Sequence, residues 1–278
     1  MHLLACAFAL RLDCGRLAGW LDDSLPQARQ EFPVSRHYRF EVTQAGGRYR
    51  IREGDLEIGV ASDHGAAGEA VLARMHGLAM EALATYTKVH AGCAELKGRR
   101  VLVVGPGRSG KTTLMTRLLY EGFEVQGDEM VLLRDGVAVS YPRRFGIRQP
   151  TLTLVPPTEA LAPEGARSPN SHGYQVFALD PSRAGFPWRI APGPVDVVVF
   201  LDARRGEPSH LSPCPQHLMV QQVMSQSTAP SRGKPQWIRD VSDLVGRARC
   251  YTLAFGELDS AVAALRRVLA HPESRMPA

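Results

Sequence analysis

Residues 1–62 read as β-rich, with stretches in which apolar and polar positions alternate, the period-two signature of half-buried strands. Tyr38, Phe40 and Val42 fall on one side of a strand spanning residues 36–42. Gly46-Gly47 marks a turn, residues 48–51 a returning strand, and residues 56–60 continue the alternation. Residues 3–6, Leu-Leu-Ala-Cys, read as the first strand. They are not read as a lipoprotein cleavage site, because neither a basic segment nor a hydrophobic run precedes them. The period then changes. Val71, Leu72, Met75, Leu78, Ala79, Ala82 and Leu83 recur at helical spacing and predict a helix over residues 68–86. Residues 101–104 are four apolar residues in a row, a short buried strand. Leu114, Met115, Leu118 and Leu119 form one face of a helix just beyond it. Residues 130–133 predict a strand, Asp135-Gly136 a hairpin turn and residues 137–141 its return. Residues 156–194, rich in Pro, Gly, Ser and charge, read as a long loop with one strand-like piece at 174–179. Residues 195–201 predict a buried strand, and the polar stretch 225–236, with Pro230, Gly233 and Pro235, a flexible lid. Leu258, Ala261, Val262, Leu265, Val268 and Leu269 predict a last helix over 258–269. No internal repeat is visible. The pattern divides into a β-rich N-terminal subdomain ending in a helix, residues 1–87, and a larger α/β domain, residues 88–278.

Between the strand at 101–104 and its helix lies Gly-Pro-Gly-Arg-Ser-Gly-Lys-Thr-Thr, residues 105–113. This is a complete G-x-x-x-x-G-K-[ST] phosphate-binding loop with both flanks in place. Gly105, Gly107 and Gly110 let backbone N–H groups curl around an anion, and the helix N-terminus adds the positive end of its dipole. Arg108, Ser109 and Thr113 complete the loop. Lys111 has the reach for β- and γ-phosphates, and the Thr112 hydroxyl suits Mg²⁺. A nucleoside triphosphate, taken as ATP, and Mg²⁺ are therefore expected. No Asn-Lys-x-Asp motif is present to fix the base.

Composition adds exclusions. The 278 residues are 44% hydrophobic and 22% charged, with a formal charge of +5. The positive balance suits anionic partners, but there is no Lys/Arg block and aromatics are only 7%, so no nucleic-acid partner is expected. No run of 18 apolar residues occurs, so no membrane role is expected. The five cysteines, Cys6, Cys14, Cys93, Cys214 and Cys250, are scattered and odd in number. They fit a reducing cytoplasm better than a disulfide framework or zinc site.

The reaction depends on the second acid of the Mg²⁺ site. Asp128-Glu129 follows the loop helix, which would suit a compact kinase. Asp202 ends the apolar run 197–201, which would suit a motor-like or GTPase-like ATPase. His90-Ala-Gly, the loop at 105–113, Glu121-Gly122-Phe123 and Gly127-Asp128-Glu129, in that order, resemble the catalytic domain of HPr kinase/phosphorylase. The resemblance covers residues 88–150 and extends more weakly to the last helix. It implies an α/β P-loop kinase fold of the HPr kinase/PEP carboxykinase-like type with a mixed sheet. The family's N-terminal domain has no counterpart in residues 1–85, the acidic pair is Asp-Glu rather than Asp-Asp, and the C-terminal phosphorolysis signature is missing. The chain thus resembles stand-alone relatives, including kinases encoded with lasso-peptide biosynthesis. Those phosphorylate a serine hydroxyl at the precursor's C-terminal end.

The resemblance implies Asp128 as general base and possible metal ligand, and Glu129 as a ligand of Mg²⁺, direct or through water. It implies His90 as a contact to the γ-phosphate or an orienter of Asp128. Arg143, Arg144 and Arg148 form a basic cluster that could clamp phosphate or a substrate carboxylate. Arg204 and Arg205 are a weaker version of the same. The expected acceptor is a peptide or small protein presenting serine. A small-molecule hydroxyl and an acceptor-free ATPase built on Asp202 stay open. Oligomers occur in the full family enzyme, so homo-oligomers are open too.

Overall fold

The computed structural model describes residues 1–161, 167–169, 175–204 and 206–270. It divides into two compact units. One comprises Met1–Pro26 and Gln30–Ala84; the other comprises Gln27–Arg29 and Thr85–Ala278.

The first unit is a five-stranded sheet of His2–Leu3, Cys6–Leu12, Arg36–Ala45, Arg48–Glu53 and Leu56–Ala61, side by side in that order. Cys6–Leu12 and Arg36–Ala45 run parallel, and the other neighbours run antiparallel. Alternation puts Phe8, Phe40, Val42, Tyr49 and Ile51 on one buried face. Two helices cover it, Gly15–Ser24 through Leu17 and Leu21, and His64–Ala82 through Val71, Met75 and Leu78. The second helix starts four residues before the predicted position, because the Asp63 carboxylate accepts from Ala66 N–H at 2.9 Å and caps it. It ends at Ala82, short of the predicted residue 86, and the chain then enters the strand Thr87–Val89. The helix Gly15–Ser24 was not predicted. Its buried stripe is only Leu17 and Leu21, too narrow to register as a period.

The second unit is built on a six-stranded sheet ordered Glu124–Gly127, Ala91–Leu96, Arg99–Val104, Val197–Ala203, Arg249–Phe255, His210–Pro213. The three inner strands Arg99–Val104, Val197–Ala203 and Arg249–Phe255 are parallel, and the outer pairings are antiparallel. A second, antiparallel sheet holds Val137–Ser140, Val131–Arg134, Thr87–Val89 and Ser227–Thr228. Val89, Leu102, Val131, Val198, Met219, Val241 and Leu244 form the shared core of these sheets and the helices Gln216–Ser225 and Lys234–Arg247. A small third sheet joins Phe145–Arg148, Gln175–Leu179 and Arg167–Pro169.

Two predicted irregular stretches are built structure. The expected lid at 225–236 contains the strand Ser227–Thr228, and Pro235 lies in the first turn of Lys234–Arg247. Proline is tolerated there because its missing N–H would be unpaired anyway. In the stretch 156–194 the expected strand-like piece is the strand Gln175–Leu179, and a 3₁₀ helix, Pro156–Leu161, and the strands Arg167–Pro169 and Arg189–Ile190 stand where loop was expected. Tyr174 lies outside the described residues. The chain is a mixed α/β protein with several sheets. No helix among the described residues is long and apolar enough to cross a membrane.

Candidate functional site

The glycine-rich loop connects the buried central strand Arg99–Val104 to the helix Lys111–Tyr120. Gly110 caps that helix with φ +97°, a conformation open to glycine. A Cβ there would lie 2.5 Å from Cε1 of Phe255, at the end of the parallel strand Arg249–Phe255, two places along the sheet from the loop strand. At Gly105 a Cβ would come within 2.8 Å of the Ser109 hydroxyl. Arg108 is exposed and also left-handed, with φ +66°. The Lys111 ammonium folds back to donate to the Gly105 carbonyl at 2.7 Å and the Pro106 carbonyl at 2.9 Å. Burial lowers its pKa to about 8, against the raising effect of Asp128 and Glu129. Gly110→Ala should destabilise the unit by about 2 kcal/mol or more, from left-handed strain plus overpacking against Phe255. A melting curve should fall by roughly 4–8 °C for a unit of this size. An unchanged Tm would contradict the close packing on Phe255.

The acid arrives from the sheet edge. Glu124–Gly127 pairs with Ala91–Leu96, and the register shifts between Val125 and Gly127. Asp128 follows at once, 5% exposed, and its Oδ2 accepts from the Thr112 hydroxyl at 2.7 Å. Desolvation raises its pKa to about 7, and the Thr112 hydrogen bond opposes the rise. Glu129 is more exposed. Its carboxylate pairs with the Arg143 guanidinium at 2.9 Å, and its carbonyl accepts from Ala91 N–H at 3.2 Å. His90 is half-buried between two strands, and its backbone N–H donates to the Gln226 carbonyl at 2.8 Å. Burial and then the Lys111 charge lower its pKa, with Glu129 opposing, so the imidazole is neutral at pH 7.

Lys111, Thr112, Asp128, Glu129, His90 and Arg143 are thereby linked by contact or by mutual electrostatics. Arg144 and Arg148 are half-buried and engaged in the structure. Arg148 closes its strand and precedes the helix Gln149–Leu154. The Asp202 carboxylate is engaged elsewhere. The residue lies within the strand beside the loop strand, and its carboxylate pairs with Arg204 at 2.9 Å. Arg205 lies outside the described residues. Three neighbours of the site escaped sequence reasoning: Thr151, whose hydroxyl meets that of Thr113 at 2.7 Å, Phe255 against Gly110, and Gln226 against His90. None carries a local signal, because each partner is remote in the chain.

The residues present fit a phosphate and a hard cation. The Ser109 hydroxyl is buried inside the loop with no hydrogen-bond partner among the described residues. Thr112 and Asp128 put one hydroxyl and one carboxylate side by side. Mg²⁺ is usually held by few protein oxygens, leaving positions for water and phosphate. Among the described residues no cluster of three or more His, Cys, Asp or Glu could hold a metal in an all-protein cage.

No family model matches the chain, and no curated protein matches it. Among solved structures, the Hpr(Ser) kinase/phosphatase from Coxiella burnetii is similar at 10% identity and a TM-score of 0.30, over 66% of this chain and 93% of that one.

Proposed function

We propose that this chain is a kinase that uses ATP and Mg²⁺ to phosphorylate a serine hydroxyl of a small protein or peptide. A lasso precursor peptide with a C-terminal serine is the most specific version. The observation that carries the reading is the 2.7 Å hydrogen bond between Thr112 and Asp128. It sets a buried carboxylate beside the loop hydroxyl that Mg²⁺ chemistry would use, and its pKa near 7 suits proton acceptance at neutral pH.

The roles follow from the side chains. Lys111, released from its two carbonyls, and the loop N–H groups hold the β- and γ-phosphates. Thr112 and Glu129, with Asp128 beside them, supply the oxygens for Mg²⁺, which when bound neutralises phosphate charge. Asp128 takes the serine hydroxyl proton as the new O–P bond forms and the bond to the leaving ADP oxygen breaks. Neutral His90 orients the phosphate or Asp128. Arg143, in an ion pair that an anion can compete for, holds phosphate or a substrate carboxylate, with Arg144 and Arg148 as candidates for the same clamp.

The test is acceptor-dependent transfer. Purified protein, ATP and Mg²⁺ are incubated with and without a synthetic peptide ending in serine, and the peptide is weighed by mass spectrometry. Gain of one phosphate is the expected result. ADP formed with no peptide product would point to a small-molecule hydroxyl or to an acceptor-free ATPase. Loss of that ADP formation in Asp202→Asn but not in Asp128→Asn would establish the ATPase reading.

A further inference from the structure

The outer face of the first unit's sheet carries chemistry that the phosphate site does not use. Strand alternation sorts its side chains into two sets. Phe8, Phe40, Tyr49 and Ile51 lie on the side buried by the helices. Arg11, Arg39, Arg48, Arg50 and Arg52 occupy intervening positions on the opposite face, and all are exposed. Strand register brings only Glu41 and Glu57 among them as carboxylates. Glu41 is paired with Arg11 at 3.3 Å and Glu57 with Arg50 at 3.8 Å. That leaves the charges of Arg39, Arg48 and Arg52 without an ion pair among the described residues. A flat surface with surplus arginine attracts an acidic partner.

The same sheet ends in an open edge. Leu56–Ala61 is its last strand and, among the described residues, is paired on one side only. It contains neither lysine nor proline, and its protection is limited to Glu57 and a register shift beside Ile58, which leaves residues 59–61 in regular register. Its Leu56 and Val60 side chains are 68% and 51% exposed. Val60 lies opposite Arg50, on the arginine face, and Leu56 lies opposite Glu53, on the other. A strand added here would present alternate residues to the arginine face, where Val60 is also exposed, and to the side of Leu56, which flanks the Glu53–Arg74 ion pair.

We propose that this edge binds an extended peptide segment of alternating acidic and apolar residues as a sixth strand. Its carboxylates lie over the arginine face and its apolar side chains beside Leu56. Main-chain hydrogen bonds to the edge provide affinity, and the two faces provide selectivity. A single-stranded nucleic acid fits less well. Base stacking needs aromatic side chains, and Phe8, Tyr38, Phe40 and Tyr49 all belong to the opposite side. Binding here is measurable whether or not the chain transfers phosphate.

The test is fluorescence anisotropy with the full chain and a dye-labelled decapeptide of alternating Glu and Val flanked by Gly-Ser. Saturable binding is expected, weakening as salt is raised. The double variant Arg50→Glu, Arg52→Glu should lose affinity by about tenfold or more, its fold checked by an unchanged melting curve. Two further peptides, N-methylated on odd or on even residues, leave the protein untouched. One of them should bind about tenfold more weakly than the parent, because only one set of N–H groups faces the edge. Equal binding of all three peptides would overturn strand addition. Unchanged affinity in the arginine variant, tighter binding of a single-stranded oligonucleotide of equal charge, or no saturable binding would overturn the proposal as a whole.

Discussion

Asp128→Asn should lower phosphate transfer by about 10²–10⁴-fold, the usual contribution of a positioned general base, while ATP still binds. Asparagine keeps an oxygen for the Thr112 hydroxyl but cannot accept the acceptor's proton. The same variant should be the more stable protein when metal is removed. Asp128 is buried, and its pKa stands at about 7, above the value of an exposed carboxylate. Between roughly pH 4 and pH 7 the folded chain therefore binds more protons at this site than the unfolded chain does. Its contribution to stability falls as pH rises through that window and stays low above it. Asparagine has no such dependence. At pH 8 in EDTA, Asp128→Asn should gain on the order of 2 kcal/mol, about half the value that the full shift allows, because relaxation and water entry share the cost. Melting curves at pH 5 and pH 8 would check it: the variant's advantage should grow with pH. Transfer at the wild-type rate in this variant would remove Asp128 from the role of base. An advantage independent of pH would remove the burial argument.

Lys111→Ala should weaken ATP binding by about 100-fold or more, since a buried ammonium gives up charge-assisted hydrogen bonds worth about 1.5–3 kcal/mol each. The ammonium rests on the Gly105 and Pro106 carbonyls, and burial lowers its pKa to about 8. Phosphate charge favours its protonated form. Above pH 8 ATP binding must therefore draw a proton from solvent, and affinity should fall as pH rises. Calorimetric titration in two buffers of different ionisation enthalpy would detect that proton uptake at pH 9. The uptake should vanish in Lys111→Ala. A Kd within threefold of wild type in this variant would place the triphosphate elsewhere on the chain.

What was legible in the sequence was local. The hairpin Val131–Arg134 and Val137–Ser140, the strand Val197–Ala203 and the helix Leu258–Ala270 each follow from a periodic stretch and its own turn residues. The glycine loop is legible for the same reason, because anion-binding backbone and lysine lie within nine consecutive residues. The helices Gln216–Ser225 and Lys234–Arg247 were not legible. Their buried stripes are interrupted by polar positions, and Pro230, Gly233 and Pro235 mimic a loop. Asp240 shows why such patterns mislead. It is a charged residue at a core position, 1% exposed, holding the Thr87 hydroxyl at 2.7 Å and Gln236 at 2.7 Å.

The sequence by itself showed a complete G-x-x-x-x-G-K-[ST] pattern at residues 105–112 and two acids, Asp128 and Asp202, as candidates to stand beside it. The tertiary structure places the two differently. Asp128 reaches Thr112 because the edge strand shifts register just before it, whereas Asp202, on the adjoining parallel strand, is turned into a pair with Arg204. Spacing along the chain cannot encode that difference, because it arises from which strands pair and where a ladder slips by one residue.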